Sequence, residues 1–146
     1  MVTFQDMEFP EDRLYHKGHS WAKEEGRLIS VGIDSFTGKA AGHITYIRIF
    51  NPGKEIIIGK SVGTIETGKW VGPIRTPVSG TIIEVNEAVK EKPDTLNTDP
   101  YERGWIFKVE PKNWGSEKAE LIGTPDEIVT WISEEYEKYK DQFPEE

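Results

Sequence analysis

The strand-like stretches of this chain are short, and glycine or proline recurs within or just after each of them. "LISVGID", "HITYIRIF", "EIIIG", "SVGTIET", "TPVSGTIIEVNEAV" and "ERGWIFKVEP" are rich in β-branched and aromatic residues. Pro52-Gly53, Gly59, Gly68, Pro77 and Gly80 interrupt them before any could become a long strand or helix. With 14 glycines and 9 prolines, this region is limited to a compact barrel or sandwich of small strands.

The flanks read differently. The first dozen residues are expected to be a polar lead-in. "DSFTGKAAG" opens on Asp34, a good helix N-cap, and stops on Gly42, so a short helical turn is expected there. Ser116 is expected to cap a brief helix over "EKAELIG". Thr124, Pro125 and Glu127 then supply an N-cap, a first-turn proline and a capping box. Ile128, Trp131, Ile132, Tyr136 and Tyr139 follow at helical spacing, a stripe expected to pack on the β core with the intervening acids facing solvent. Within the β region, Val62, Thr64 and Glu66 alternate against Ser61, Gly63, Ile65 and Thr67, and Trp105, Phe107 and Val109 share a face. "GHITYI" at Gly42 and "GTIIEV" at Gly80 form an imperfect repeat, which would give two units related by a pseudo-two-fold with Lys69 in the connection between them.

Composition removes several function classes. The chain has no cysteine, so disulfides, thiolate metal sites and a cysteine nucleophile are excluded, and any redox chemistry must come from an attached group. A formal net charge of -8 disfavours nucleic acid as a partner, because phosphate binding needs clustered Lys and Arg. Apolar runs are too short to cross a bilayer and "MVTFQDMEFPEDR" lacks a leader pattern, so a cytoplasmic protein with no membrane partner is expected. The spacing of His16, His19 and His43 marks no metal site.

One lysine stands out. Gly63, Gly68 and Lys69 match the first seven positions of a phosphate-binding loop, but Trp70 stands where a magnesium-binding hydroxyl is needed. Gly72, Pro73 and Pro77 also bar the helix whose N-terminus such a loop requires. Taken alone, Thr67-Gly68-Lys69-Trp70 is an exposed hairpin turn with Gly68 at positive φ.

The surroundings of that turn resemble the lipoyl-attachment region of the glycine cleavage system H protein family. They share Gly63, Glu66 and Lys69 in a G-x-x-E-x-x-K run, "PVSG" beginning eight residues after the lysine, and then "EVNEAV". "YHKGHSWAKEEGRLISVGID" and "AAGHITYI" upstream, and "LNTDPYERGWIFKVEP" downstream, are similar to further family segments, extending the likeness from Leu14 to Tyr139. The resemblance implies a mainly β fold with short helices: a lipoyl-type barrel-sandwich hybrid of two small antiparallel sheets with the C-terminal helix packed on it. It implies one domain over 1–146, with a β core at about 14–110 and C-terminal helices at about 116–140.

It further implies a carrier rather than an enzyme, with lipoic acid in amide linkage to Lys69. Gly68 would let the chain reverse, and Glu66 would help a lipoate ligase or lipoyltransferase recognise its target. Phe36 falls where the family has an aromatic or histidine near the groove for the arm, although core packing is the stronger of its two readings. His19 takes the histidine position of the family's His-x-Trp pair, with Trp21, where a structural hydrogen bond is expected. The arm would take the aminomethyl group from a pyridoxal-phosphate glycine decarboxylase and present it to an aminomethyltransferase. Dihydrolipoamide dehydrogenase would then reoxidise it.

Biotin carriers, which flank their lysine with methionines, do not match. The family's E-S-V-K and the small polar residues after it are replaced by Glu66-Thr67-Gly68-Lys69-Trp70-Val71-Gly72-Pro73. That departure keeps open a related H-protein-like lipoate-binding protein carrying sulfur intermediates for a heterodisulfide-reductase-like sulfur-oxidation complex. A non-lipoylated interaction module is the third possibility.

Overall fold

The computed structural model describes residues 1–143. In chain order the strands are β1 (Val2–Phe4), β2 (Met7–Phe9), β3 (Leu14–His16), β4 (Ser20–Glu25), β5 (Leu28–Ile33), β6 (Ile44–Ile49), β7 (Glu55–Ile56), β8 (Ser61–Thr67), β9 (Val71–Arg75), β10 (Gly80–Val85) and β11 (Phe107–Pro111). The helices are α1 (Ser35–Ala41), α2 (Glu87–Glu91), α3 (Thr95–Thr98), α4 (Trp114–Glu117) and α5 (Pro125–Tyr139). Every pairing within the sheets is antiparallel. A six-stranded sheet runs β3-β4-β5-β11-β10-β7, a three-stranded sheet runs β6-β8-β9, and β1-β2 form a separate hairpin.

Two buried clusters hold these layers. Val31, Ile82, Phe107 and Val109 of the larger sheet pack with Ile47, Ile65 and Ile74 of the smaller one, so the two sheets share one apolar interior. The second cluster joins Val2, Met7 and Phe9 of the hairpin to Tyr15, Trp21, Phe36, Ile128 and Ile132. That cluster docks α5, whose start is the expected capping box: the Thr124 side chain accepts from Glu127 N, and Glu127 reaches back to Thr124 N. Asp34 likewise caps α1, accepting from Thr37 N at 3.1 Å.

The repeat is structural, though arranged otherwise than expected. β6 lies in the smaller sheet and β10 in the larger, and each carries a register shift at the same place in its copy, between Ile44 and Tyr46 and between Ile82 and Glu84. Lys69 does not connect the two sheets; it lies inside the smaller one, in the β8–β9 turn.

Four local expectations are corrected. The N-terminus is a strand hairpin rather than a polar lead-in, because Val2, Met7 and Phe9 find a buried surface under α5. Ser116 lies within α4, which starts after Asn113 and passes into a 3-10 turn at Lys118–Glu120. The simple alternation over Ser61–Thr67 is broken by a register shift between Ser61 and Gly63, which buries both Val62 and Ile65. Trp105 precedes β11 and packs with the second cluster, while Phe107 and Val109 enter the inter-sheet core.

The docking of α5 gives a direct test. Ile132→Ala, at a fully buried site, should lower unfolding free energy by about 3 kcal/mol in denaturant melts. Val129→Ala, on the exposed side of the same helix, should change it by less than about 0.5 kcal/mol.

Candidate functional site

Lys69 is presented by a tight, well-anchored turn. Buried Ile65 and Ile74 root β8 and β9, and the ladder continues to the Glu66–Val71 pair just below the tip. Thr67 N donates to Trp70 O at 2.8 Å, and Lys69 N donates to Thr67 Oγ1 at 3.3 Å. Lys69 itself is exposed and joins no ion pair among the described residues. Its amine is therefore free to be acylated, with strands beneath to hold it in place.

Gly68 is not needed for the reason expected. Its φ is outside the left-handed region, and an added Cβ would meet no heavy atom within 4 Å. The turn is closed by the Thr67 bonds instead.

A groove of about 1080 Å³ opens beside this turn. Gly68, Lys69 and Trp70 of the turn line it together with Phe36, Ala40 and Ala41 of α1 and Tyr139 of α5. Two of the residues singled out from sequence, Lys69 and Phe36, thus meet at one cavity. Phe36 is 4 % exposed and packed in the second cluster, and it also lines the groove. Tyr139, expected to pack on the core, is instead an exposed wall of the groove. Glu66 is not among the lining residues. It is half-buried on β8, in register with Tyr46 and Val71, so its side chain shares the outer face of the smaller sheet with those two exposed residues.

The far end of the groove is organised by His19, which sits at φ 72° in the β3–β4 turn. Its Nδ1 is 2.9 Å from Asp34 Oδ2 and its Nε2 is 2.7 Å from Glu135 Oε1. The ring is sandwiched between Phe36, centroids 4.3 Å apart, and Trp131, at 4.9 Å. Burial alone would lower its pKa, but the facing carboxylates of Asp34 and Glu135 outweigh this and raise it to about 9. Glu135 is in turn held below its ordinary value of 4.5, first by the hydrogen bond from His19.

Sequence reasoning expected a structural hydrogen bond at His19 but missed Glu135, which was counted with the solvated acids. The signal was present: Glu135 falls three residues after Ile132 and four after Trp131, inside the apolar stripe. Among the described residues no group of His, Asp and Glu could hold a metal ion. Among the described residues no helix is long and apolar enough to cross a membrane.

The glycine cleavage H-protein family model matches residues 13–135. Glycine cleavage system H protein 5 of Aquifex aeolicus is 42% identical over 127 residues, covering 84% of this chain and 86% of its own. The H protein of Thermus thermophilus is 38% identical over 109 residues, covering 75% and 85% respectively. The crystal structure of a glycine cleavage system H protein from Mycobacterium marinum superposes with a TM-score of 0.75 at 31% identity, covering 84% of this chain and 98% of that one.

The His19 bridge has a defined pH signature. Because its folded pKa lies above the unfolded value of 6.5, its contribution is fully present below about 6.5 and is lost as pH rises through about 9. Stability measured by denaturant melts should fall across that window by on the order of 3 kcal/mol. His19→Gln should flatten the fall.

Proposed function

The chain belongs to the glycine cleavage H-protein family, and from that premise we propose that it is a lipoyl carrier with lipoic acid attached to Lys69. H proteins are the carrier component of the glycine cleavage system rather than an enzyme. The observation that carries the proposal for this lysine is its position: an exposed amine, in no ion pair among the described residues, at a hydrogen-bonded hairpin tip on the lip of a largely apolar groove.

The residues present fit the group. Acylation of the Lys69 amine removes its charge, so the extended arm can lie against Phe36, Ala40 and Tyr139 without desolvating a cation. Bound lipoate would supply a redox-active disulfide able to accept and release a one-carbon amine fragment, the sulfur chemistry this cysteine-free chain lacks. The chain's part is to hold the attachment point, offer the groove, and exclude water from whatever the arm carries. Glu66, on the outer face of the smaller sheet and away from the groove, is where a lipoate ligase or lipoyltransferase could read it while acylating Lys69. On this reading the protein works in the cytoplasm with glycine decarboxylase, aminomethyltransferase and dihydrolipoamide dehydrogenase. The relatives named above all bear the glycine-cleavage name, which does not favour the sulfur-carrier alternative.

Expression with lipoate and a lipoate ligase should give one lipoyl group per chain by intact mass, lost completely in Lys69→Arg. Glu66→Ala should slow modification about tenfold, the loss of one charge-assisted contact. An unmodified wild-type chain would overturn the carrier reading. The lipoylated protein, mixed with glycine decarboxylase, should stimulate glycine-dependent carbon dioxide exchange. A fully lipoylated protein without that effect would leave the carrier standing and remove the glycine-cleavage partners.

A further inference from the structure

The tryptophan beside Lys69 is tied to a glycine two residues on. Trp70 lines the groove and is 39% exposed, while Gly72 is buried in β9 opposite Ile65. A Cβ built on Gly72 would fall 2.1 Å from atoms of the Trp70 ring, so the indole lies directly against the Gly72 backbone. No other residue at position 72 leaves room for it there. The indole is thereby held along β9 instead of standing out into water, and Pro73 of the same strand also lines the groove. Phe36, Ala40 and Tyr139 line the same cavity, so it offers an arm leaving Lys69 aromatic surface on its own hairpin and apolar surface on the helices.

We propose that Trp70 is a positioning residue for the group carried by Lys69: its indole, seated on Gly72, packs against the first methylenes of the arm and sets the fraction of time the arm lies docked in the groove. This rests on the reading of Lys69 as the lipoyl site. A flat aromatic surface fixed by backbone contact contributes contact area at little entropic cost, because the ring is already ordered before the arm arrives. The alternative role, in which Trp70 merely stiffens the turn, predicts a change in stability and none in the exposure of the arm.

The absence of cysteine makes the test clean, since after reduction of the arm its two thiols are the only ones in the protein. Lipoylated protein of verified mass is reduced, and the rate of its reaction with a soluble aromatic disulfide is followed by stopped flow. Trp70→Ala should react about three- to tenfold faster than wild type, the equivalent of losing one ordered aromatic contact. Gly72→Ala should do the same with the tryptophan still present, because the added methyl displaces the indole. Trp70→Phe should fall between.

Val71→Ala, at an exposed neighbour on the outer face, should leave the rate unchanged. Equal rates for lipoylated wild type and Trp70→Ala, or an equal acceleration by Val71→Ala, would overturn the proposal and leave the lipoyl assignment intact. A chain that mass measurement shows to be unmodified would overturn both.

Discussion

The groove beside Lys69 keeps its shape because three segments distant in sequence converge on one imidazole. His19 brings together the β3–β4 turn, the first residue before α1 and the middle of α5, through Asp34 and Glu135. Asp34 serves twice, with one oxygen capping α1 and the other on His19, so the helix that carries Phe36 is aligned by the same carboxylate that fixes the ring. Stacking of that ring between Phe36 and Trp131 locks both aromatic neighbours in turn. A half-exposed histidine with one partner would do none of this. Two carboxylates in a water-poor site keep the ring charged, and a buried charge so paired is costly to break.

The architecture separates the packed interior from the turn that presents Lys69. The two sheets share a continuous apolar interior, and the Lys69 turn stands on strands whose inward residues belong to it. The contacts of the tip are made within the hairpin itself: Thr67 bonds Trp70 and Lys69, the indole lies on Gly72, Gly68 has open space around it, and Lys69 has no charged partner among the described residues. Changes at the tip therefore leave the fold largely undisturbed, which is why the departures around Lys69 are compatible with so close an overall likeness to H proteins.

Much of this was legible in the sequence. Short strands between glycines and prolines marked the β sandwich, Asp34 and the Thr124–Glu127 box marked helix starts, and the ordered motifs around Lys69 marked the family. The failures were those that depend on tertiary partners. The first residues look polar in isolation, but Val2, Met7 and Phe9 become a buried hairpin once α5 offers its face. Glu135 looked solvated because its partner lies over a hundred residues away, at |i−j|=116. The special status of Gly68 was overestimated because a glycine in a turn invites a positive φ that the Thr67 bonds make unnecessary. The coupling of Trp70 to Gly72 is a contact between side chain and backbone, and spacing alone does not reveal it.

β9 is one of the two outer strands of the smaller sheet, and Pro73 sits in its middle. Unpaired strand edges are templates for association, and prolines are tolerated there because they offer no N–H to a newcomer. The strand leading away from Lys69 is thus poorly suited to zip onto another chain. An edge that resists strand pairing keeps any encounter along it reversible, because contact there must be made by side chains rather than by a new ladder.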